Sequence, residues 1–449
     1  MKDTQRLAEI VCGLGPELLT GERMTDIHYK LLDWLGCAVG AANSPAAGML
    51  SDAFQAEADT GSSTVFFSGK TYPLYTAAFL NGAESHILEC DDVHKVSISH
   101  PGIIAIVAAL MAAEDRKALF TDFALGVMAG YEVMIRLGSA LNPSHYKRWH
   151  TTGTCGAFAA AAAAGRVFRF TPRQMEQAFG MAATMASGLV CEFGTNAKLV
   201  TIGNAIRSGI LAAVLTEGGL TSAFGVIERE DGYGNAVSEA PNYRYIQEDP
   251  GIPAIDTAGY KLYASCGHTH SALDALFALR AEHLFTAKDI ERITVYAYTT
   301  AAKLTGLFKA ENPAAAKFSL PYCLAAGVLY GQVSVDQFSE NAISDPALEK
   351  FAERIFVEGY PEFDAEYPKK RPEKVIIRLK DGMVLEKTVF LPQGKPSRQF
   401  LIDKYLSLSQ MSVSREQAEQ LMQIILEAAP DVTMDQITKK LKGALHYGK

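Results

Sequence analysis

The chain has 449 residues, with 42 Lys plus Arg against 50 Asp plus Glu and a formal net charge of −8. At 48% hydrophobic and 20% charged residues it has ordinary globular composition and the length for two or three domains. The acidic balance excludes sequence-independent nucleic-acid binding and, taken alone, also disfavours an anionic substrate. The longest uninterrupted apolar run, Ile103–Ala113, falls short of the ~20 residues of a membrane span, so no membrane is expected. The polar N-terminus lacks a signal-peptide core. Seven scattered cysteines, with no CxxC among them, fit a reducing cytoplasm and leave no structural zinc cluster to expect.

Along the chain, the first 220 residues read as successive helices. Thr25–Ala41 carries Ile27, Leu31, Leu35 and Val39 at helical spacing, and Pro101-Gly102 opens the apolar run. Gly153–Gly165 contains six consecutive alanines, Ala159–Ala164, which predict a central, closely packed helix. After about residue 265 the pattern changes. Arg292–Tyr298, Arg354–Val357, Val375–Leu379 and Val384–Val389 read as strands, the last two joined by Lys380-Asp381-Gly382 as a two-residue hairpin turn. Helical patterns cover Lys317–Tyr330 and the segment starting at Asp345-Pro346. Leu391–Pro396 reads as a linker, and Ser414–Gln417 as a capping box opening a closing helix. The expected fold is mainly α: a large all-helical domain (1–265 plus 396–449) with an inserted smaller α+β lid domain (266–395).

Seven of the ten histidines fall in three short windows. The first, His86 to His100, also holds Glu89, Asp91, Asp92 and His94; the second is His145 to His150 with Tyr146; the third is Lys261 to His270 with Cys266 and His268. A fourth stretch, Phe193–Gly203, carries Lys198. Imidazoles titrate near neutrality and serve as acids and bases, while lysines and helix N-termini hold carboxylates. Each cluster also has a plain structural reading. Asp91-Asp92 would cap a helix near Pro101, Lys198 would be solvated, and Cys266 would be a small buried hydrophobe. Cys266, His268 and His270 have metal-ligand identities but lack ligand spacing, and no nucleotide or serine-hydrolase motif occurs.

Taken in order, these segments resemble the MmgE/PrpD family, which includes 2-methylcitrate dehydratase, cis-aconitate decarboxylase and iminodisuccinate epimerase. The resemblance runs through Phe79–Ala83, Asp91-Asp92, His100-Pro101, Trp149-His150 with Gly153-Thr154, and Phe193–Thr195 with Lys198 and Gly203. It continues through Lys261, Ser265-Cys266, His270, Ala316–Tyr322 and Pro392–Tyr405. It implies a helical domain with an α+β lid, a homodimer, and a site in the cleft needing neither metal nor organic cofactor. His100, His150, Lys198, Lys261 and Tyr322 match family site positions, and Asp91 and Asp92 match its paired aspartates. Cys266 stands where the decarboxylase has histidine. Glu89 replaces the usual aspartate, Val93 a common hydroxyl residue, and Asn196–Leu199 the usual Met-Thr-Lys-Pro.

The implied activity is that of a cofactor-independent lyase on a citrate-family polycarboxylate, of dehydratase or decarboxylase type. His100 or His150 would move the proton, oriented by Asp91 or Asp92, and Tyr322 would be a proton donor. Lys198 and Lys261 would clamp carboxylates, with His94, Cys266, His268, Tyr146 and Glu89 also lining the substrate. An epimerase of a small dicarboxylate such as iminodisuccinate is the alternative, and an inactive polycarboxylate-binding protein a third.

Overall fold

The computed structural model describes residues 2–249, 251–306 and 310–447. The chain is mainly α-helical and divides into two compact units. The larger comprises Met1–Cys191, Ala197–Gly259 and Ser397–Lys449; the smaller comprises Glu192–Asn196 and Tyr260–Pro396.

In the larger unit the stripe read from Ile27 to Val39 belongs to a helix over Gly21–Ala41, started by Thr20, whose hydroxyl accepts the Arg23 N–H at 3.3 Å. The apolar run becomes the Pro101–Arg116 helix, with proline in the first turn, where its missing N–H costs nothing. The alanine run lies in the Thr151–Val167 helix, and Ala159–Ala164 are all fully buried. Small residues face it from its neighbours. A Cβ on Gly209, in the Ala197–Glu217 helix, would stand 2.4 Å from the Ala160 Cβ, so these two helices approach as closely as glycine on alanine permits.

The unit also contains one short antiparallel strand pair, Ser63–Val65 with Lys70–Tyr72, which the helical pattern gave no reason to expect. The length criterion for a membrane span needs correcting too. Phe120–Leu141 and Ala197–Glu217 are long and apolar enough to cross a membrane by length and composition, because isolated charged residues such as Glu132 and Arg207 interrupt their apolar runs while the mean hydropathy stays high. The former is a core helix, its apolar window wholly buried inside the unit.

The smaller unit is built on a four-stranded sheet in the order Ile355–Gly359, Ile290–Ala297, Glu373–Leu379, Val384–Val389. The first pair is parallel, which demands a long crossover; helices Leu320–Tyr330 and Pro346–Ala352 fall within it. The other pairs are antiparallel. The expected two-residue hairpin is instead a three-residue loop. Gly382 N–H donates to Leu379 C=O at 3.0 Å, Leu379 N–H donates to Met383 C=O at 2.9 Å, and Gly382 has φ 91°. A type I turn followed by a left-handed glycine is the three-residue solution, so Asp-Gly here occupies its last two positions. The helix read from Lys317 starts later, at Leu320, because the Ser319 hydroxyl accepts the Tyr322 N–H.

Candidate active site

The Leu74–Ser85 helix ends at His86, and residues 86–100 form a tight loop before the next helix. Val93 and Gly259 exchange backbone hydrogen bonds at 2.8 and 2.9 Å, and His94 and Ser99 do so at 2.9 and 3.2 Å. Within the loop Glu89 (φ 54°) and Ile98 (φ 49°) adopt left-handed backbone, a conformation costing a non-glycine residue roughly 1–2 kcal/mol. Such strain is retained where the surroundings over-determine it, and it concentrates at functional sites.

Asp91 is buried and faces two imidazoles at once. Its Oδ1 lies 2.9 Å from His86 Nδ1, and its Oδ2 lies 3.0 Å from His100 Nδ1. The His100 Nδ1 also lies 3.0 Å from the Asp92 carbonyl oxygen, and the two rings meet edge to face at 4.9 Å. Burial alone would raise the Asp91 carboxyl, but the facing His86 and His100 rings outweigh it and hold it well below the usual range. Burial pushes His86 down to about 3, with nearby Lys198 acting in the same direction. Asp91 is therefore the anion; His86 turns its Nδ1–H toward it, while the His100 Nδ1–H is directed at the Asp92 carbonyl with Asp91 beside it.

His150 is the N-cap of the Thr151–Val167 helix and is buried. Its Nδ1 lies 2.9 Å from Thr201 Oγ1, while that hydroxyl donates its single proton to Lys198 C=O at 2.7 Å. Thr201 can thus only accept from the imidazole, so Nδ1 carries the proton and Nε2 is the basic nitrogen. Burial, reinforced by His86 and His100, holds His150 well below its ordinary value and hence neutral. Lys198, in the first turn of the Ala197–Glu217 helix, forms an ion pair with Glu89, and Glu89 also lies 3.3 Å from His86 Nε2. Three helices therefore begin at this cluster, immediately after His100, immediately after His150 and beside Lys198. Their N-terminal partial charges favour an anion.

His86, Glu89 and His100 also offer ligand atoms within 4.8 Å of one another, a donor set that suits zinc. The Lys198 ammonium already holds the Glu89 carboxylate that a cation would need, so the fit is poor.

Asp92 does what the structural reading of the pair described. Its Oδ1 accepts the Gly102 N–H at 2.7 Å, capping the Pro101–Arg116 helix, and its Oδ2 accepts the Tyr131 hydroxyl at 2.5 Å and lies 3.7 Å from Lys30 Nζ. Only glycine fits at 102, where a Cβ would come within 2.7 Å of that carboxylate. His94 is turned to its own loop, its Nδ1 accepting the Ser97 N–H at 3.1 Å. Tyr146 is half-buried, its N–H donating to Asn142 at 3.1 Å.

The remaining sequence candidates belong to the smaller unit. Lys261 is 1% exposed. The Cys266 N–H donates to Lys317 C=O at 2.9 Å, and His268 Nδ1 is paired with the Tyr298 hydroxyl. His270 Nε2 is directed at Ser265 C=O, 3.3 Å away. Tyr322 donates its phenolic proton to Gln337 C=O at 2.5 Å, and burial pushes that group up.

His86, Thr201, Lys30 and Tyr131 were not singled out as site residues from the sequence. His86 was visible as the first residue of its window. Lys30 was visible as a charge within an apolar helical stripe. Thr201 and Tyr131 carry no signal of their own.

Residues 5–246 match the MmgE/PrpD N-terminal domain, and residues 263–428 match the MmgE/PrpD C-terminal domain. Among curated proteins, cis-aconitate decarboxylase of Aspergillus terreus is 26% identical over 93% of this chain and 92% of its own. Cis-aconitate decarboxylase of Homo sapiens is 24% identical over 98% of this chain and 94% of its own. The 2-methylcitrate dehydratase of Escherichia coli (strain K12) is 24% identical over 36% of each chain.

Proposed function

Because the chain belongs to the MmgE/PrpD family, we propose that it is a lyase acting on a citrate-family polycarboxylate by decarboxylation or dehydration. The observation that carries this reading is the His150–Thr201–Lys198 relay, which leaves a neutral imidazole Nε2 in a site biased toward anions. In dehydration, His150 Nε2 takes the proton beside a carboxylate; the C–H electron pair forms the double bond and the hydroxyl leaves as water with a proton from His100. In decarboxylation, the C–CO₂ bond breaks and its electron pair is protonated at carbon by an imidazole. Both pass through developing negative charge on the substrate, which Lys198 and the helix N-termini stabilise. The relatives' names support this substrate class.

One observation favours a second reading. Glu89 adds a carboxylate beside Lys198, which suits a dicarboxylate better than a tricarboxylate, and proton removal and return at one carbon would then epimerise it. A mass-resolved screen over citrate, methylcitrate, cis- and trans-aconitate and aspartate-derived dicarboxylates separates these outcomes. Loss of water or CO₂ marks a lyase, and solvent deuterium entering without mass loss marks an epimerase. His150→Ala and Lys198→Ala should abolish turnover in folded protein; full activity in both sinks either reading.

A further inference from the structure

The loop that carries Glu89 and Asp91 is gripped from behind by a helix near the end of the chain. Lys404, in the Arg398–Ser409 helix, donates from Nζ to the Cys90 carbonyl at 2.6 Å and to Asp33 Oδ1 at 2.6 Å. Both side chains of the ion pair are buried, 9% and 4% exposed. Asp33 belongs to the Gly21–Ala41 helix, so one ammonium ties together a helix near the start of the chain, the loop and a helix near its end.

Cys90 lies between Glu89 and Asp91. Its peptide faces Lys404, while its neighbours' carboxylates face Lys198 and the two imidazoles. Glu89 holds left-handed backbone at the same point, a conformation the loop would relax if released. A buried ammonium spent on one main-chain carbonyl and one carboxylate is an expensive way to hold a loop, since isolated ions resist burial. The position it fixes is the one on which Asp91 depends.

We propose that Lys404 is a positioning residue: through the Cys90 carbonyl it sets where Asp91 and Glu89 stand relative to His86, His100 and Lys198. This rests on the reading of Asp91 as the group that orients the reacting imidazoles.

The test is Lys404→Met combined with Asp33→Leu, which removes both charges of the pair together; Lys30, the other ammonium acting on Asp33, keeps Asp92 beside it. A destabilised control, Leu441→Ala, cuts a 2%-exposed core side chain in the Met434–Ala444 helix, away from the loop. Expected for the double variant is a kcat about tenfold or more below the control's, with KM within about threefold, as for a misplaced catalytic group. The imidazole titrations of His86 and His100, followed by NMR in the full chain, should also move, because Asp91, Glu89, Lys198 and His150 all face those rings. Titrations coinciding with wild type, together with a kcat equal to the control's, overturn the proposal. If the double variant does not fold, Lys404→Arg replaces it: the wider guanidinium must displace the Cys90 carbonyl, and unchanged titrations and kcat there overturn the proposal equally. If wild type turns over no polycarboxylate, the functional reading fails and the titrations alone decide this one.

Discussion

Lys198 and Glu89, 109 positions apart in sequence, meet as an ion pair with each side chain only 6% exposed. The lysine proposed to receive a substrate carboxylate is thus already engaged by a carboxylate of the protein. On that reading, an incoming anion would have to compete with Glu89 for it.

Glu89→Gln breaks that pair and leaves Lys198 buried beside a neutral amide. Loss of one partner of a buried pair costs about 3 kcal/mol or more, so the melting temperature of the free protein should fall. A polycarboxylate should restore it, because ligand binding to the native state stabilises by mass action. The expected result is a larger citrate-induced thermal shift in the variant than in wild type. Equal shifts would show that Glu89 does not compete for Lys198.

The two adjacent aspartates should separate by phenotype. Asp91→Asn keeps the shape but loses the anion that holds the His86 Nδ1 proton and stands beside His100, and kcat should drop about 10²-fold or more, the scale of acid–base catalysis. Asp92→Asn weakens the bonds to Tyr131 and Gly102 and takes a negative charge from beside Lys30, so its larger effect should be on stability, about 1–3 kcal/mol in urea denaturation. The reverse pattern would exchange their roles.

Glu84, in the Leu74–Ser85 helix, is fully buried, and neither carboxyl oxygen has a hydrogen-bond partner among the described residues. Burial raises its pKa well above that of an ordinary glutamate. A carboxyl raised in the folded state contributes its full stability below the unfolded value near 4.5 and loses it as pH rises toward the folded value. Glu84→Gln should therefore match wild type near pH 5 and be the more stable protein at pH 8, by on the order of 1 kcal/mol per pH unit through the titration. Paired urea melts at the two pH values measure this; a difference that does not grow with pH contradicts it.

Gly209→Ala sets two effects against each other. Alanine gains roughly 1 kcal/mol of helix propensity over glycine. The new Cβ would lie 2.4 Å from the Ala160 Cβ and 2.6 Å from the Ala157 carbonyl oxygen, neither of which can swing away. Overpacking of this kind costs about 1–3 kcal/mol, so the variant should be less stable. A gain in melting temperature would mean that the helices separate more readily than their packing suggests.

Local signals carried much of the fold. Proline before the Ile103 run, the Ser414–Gln417 capping box and the alternating Val375–Leu379 strand each act within a few residues, and periodicity records them. The hairpin was misjudged by one residue because Asp-Gly fits both the two-residue turn and the end of a three-residue one. Main-chain hydrogen bonding at Leu379 decides between them. At the candidate site, His100, His150, Asp91 and Lys198 were legible as residue types in windows. Their roles were not, because those depend on which nitrogen bears a proton, and that is fixed by Thr201 and the Asp92 carbonyl. Lys404 was illegible for a different reason. Its partners, Asp33 and the Cys90 carbonyl, lie more than 300 positions away, and one of them is backbone, identical in every residue.

His100 and His150 each stand immediately ahead of a helix's first turn, where the backbone amides carry partial positive charge. At His150, which burial holds well below its ordinary value, this charge further disfavours a proton, while an anion is welcome. The two tendencies are linked: an anion that binds raises the His150 imidazole's hold on a proton, and by reciprocity protonation tightens the anion's hold by the same factor. With no anion beside it the His150 imidazole is thus unprotonated but only weakly basic. On the proposed lyase reading, the bound polycarboxylate would itself strengthen that base and help it keep the proton it removes.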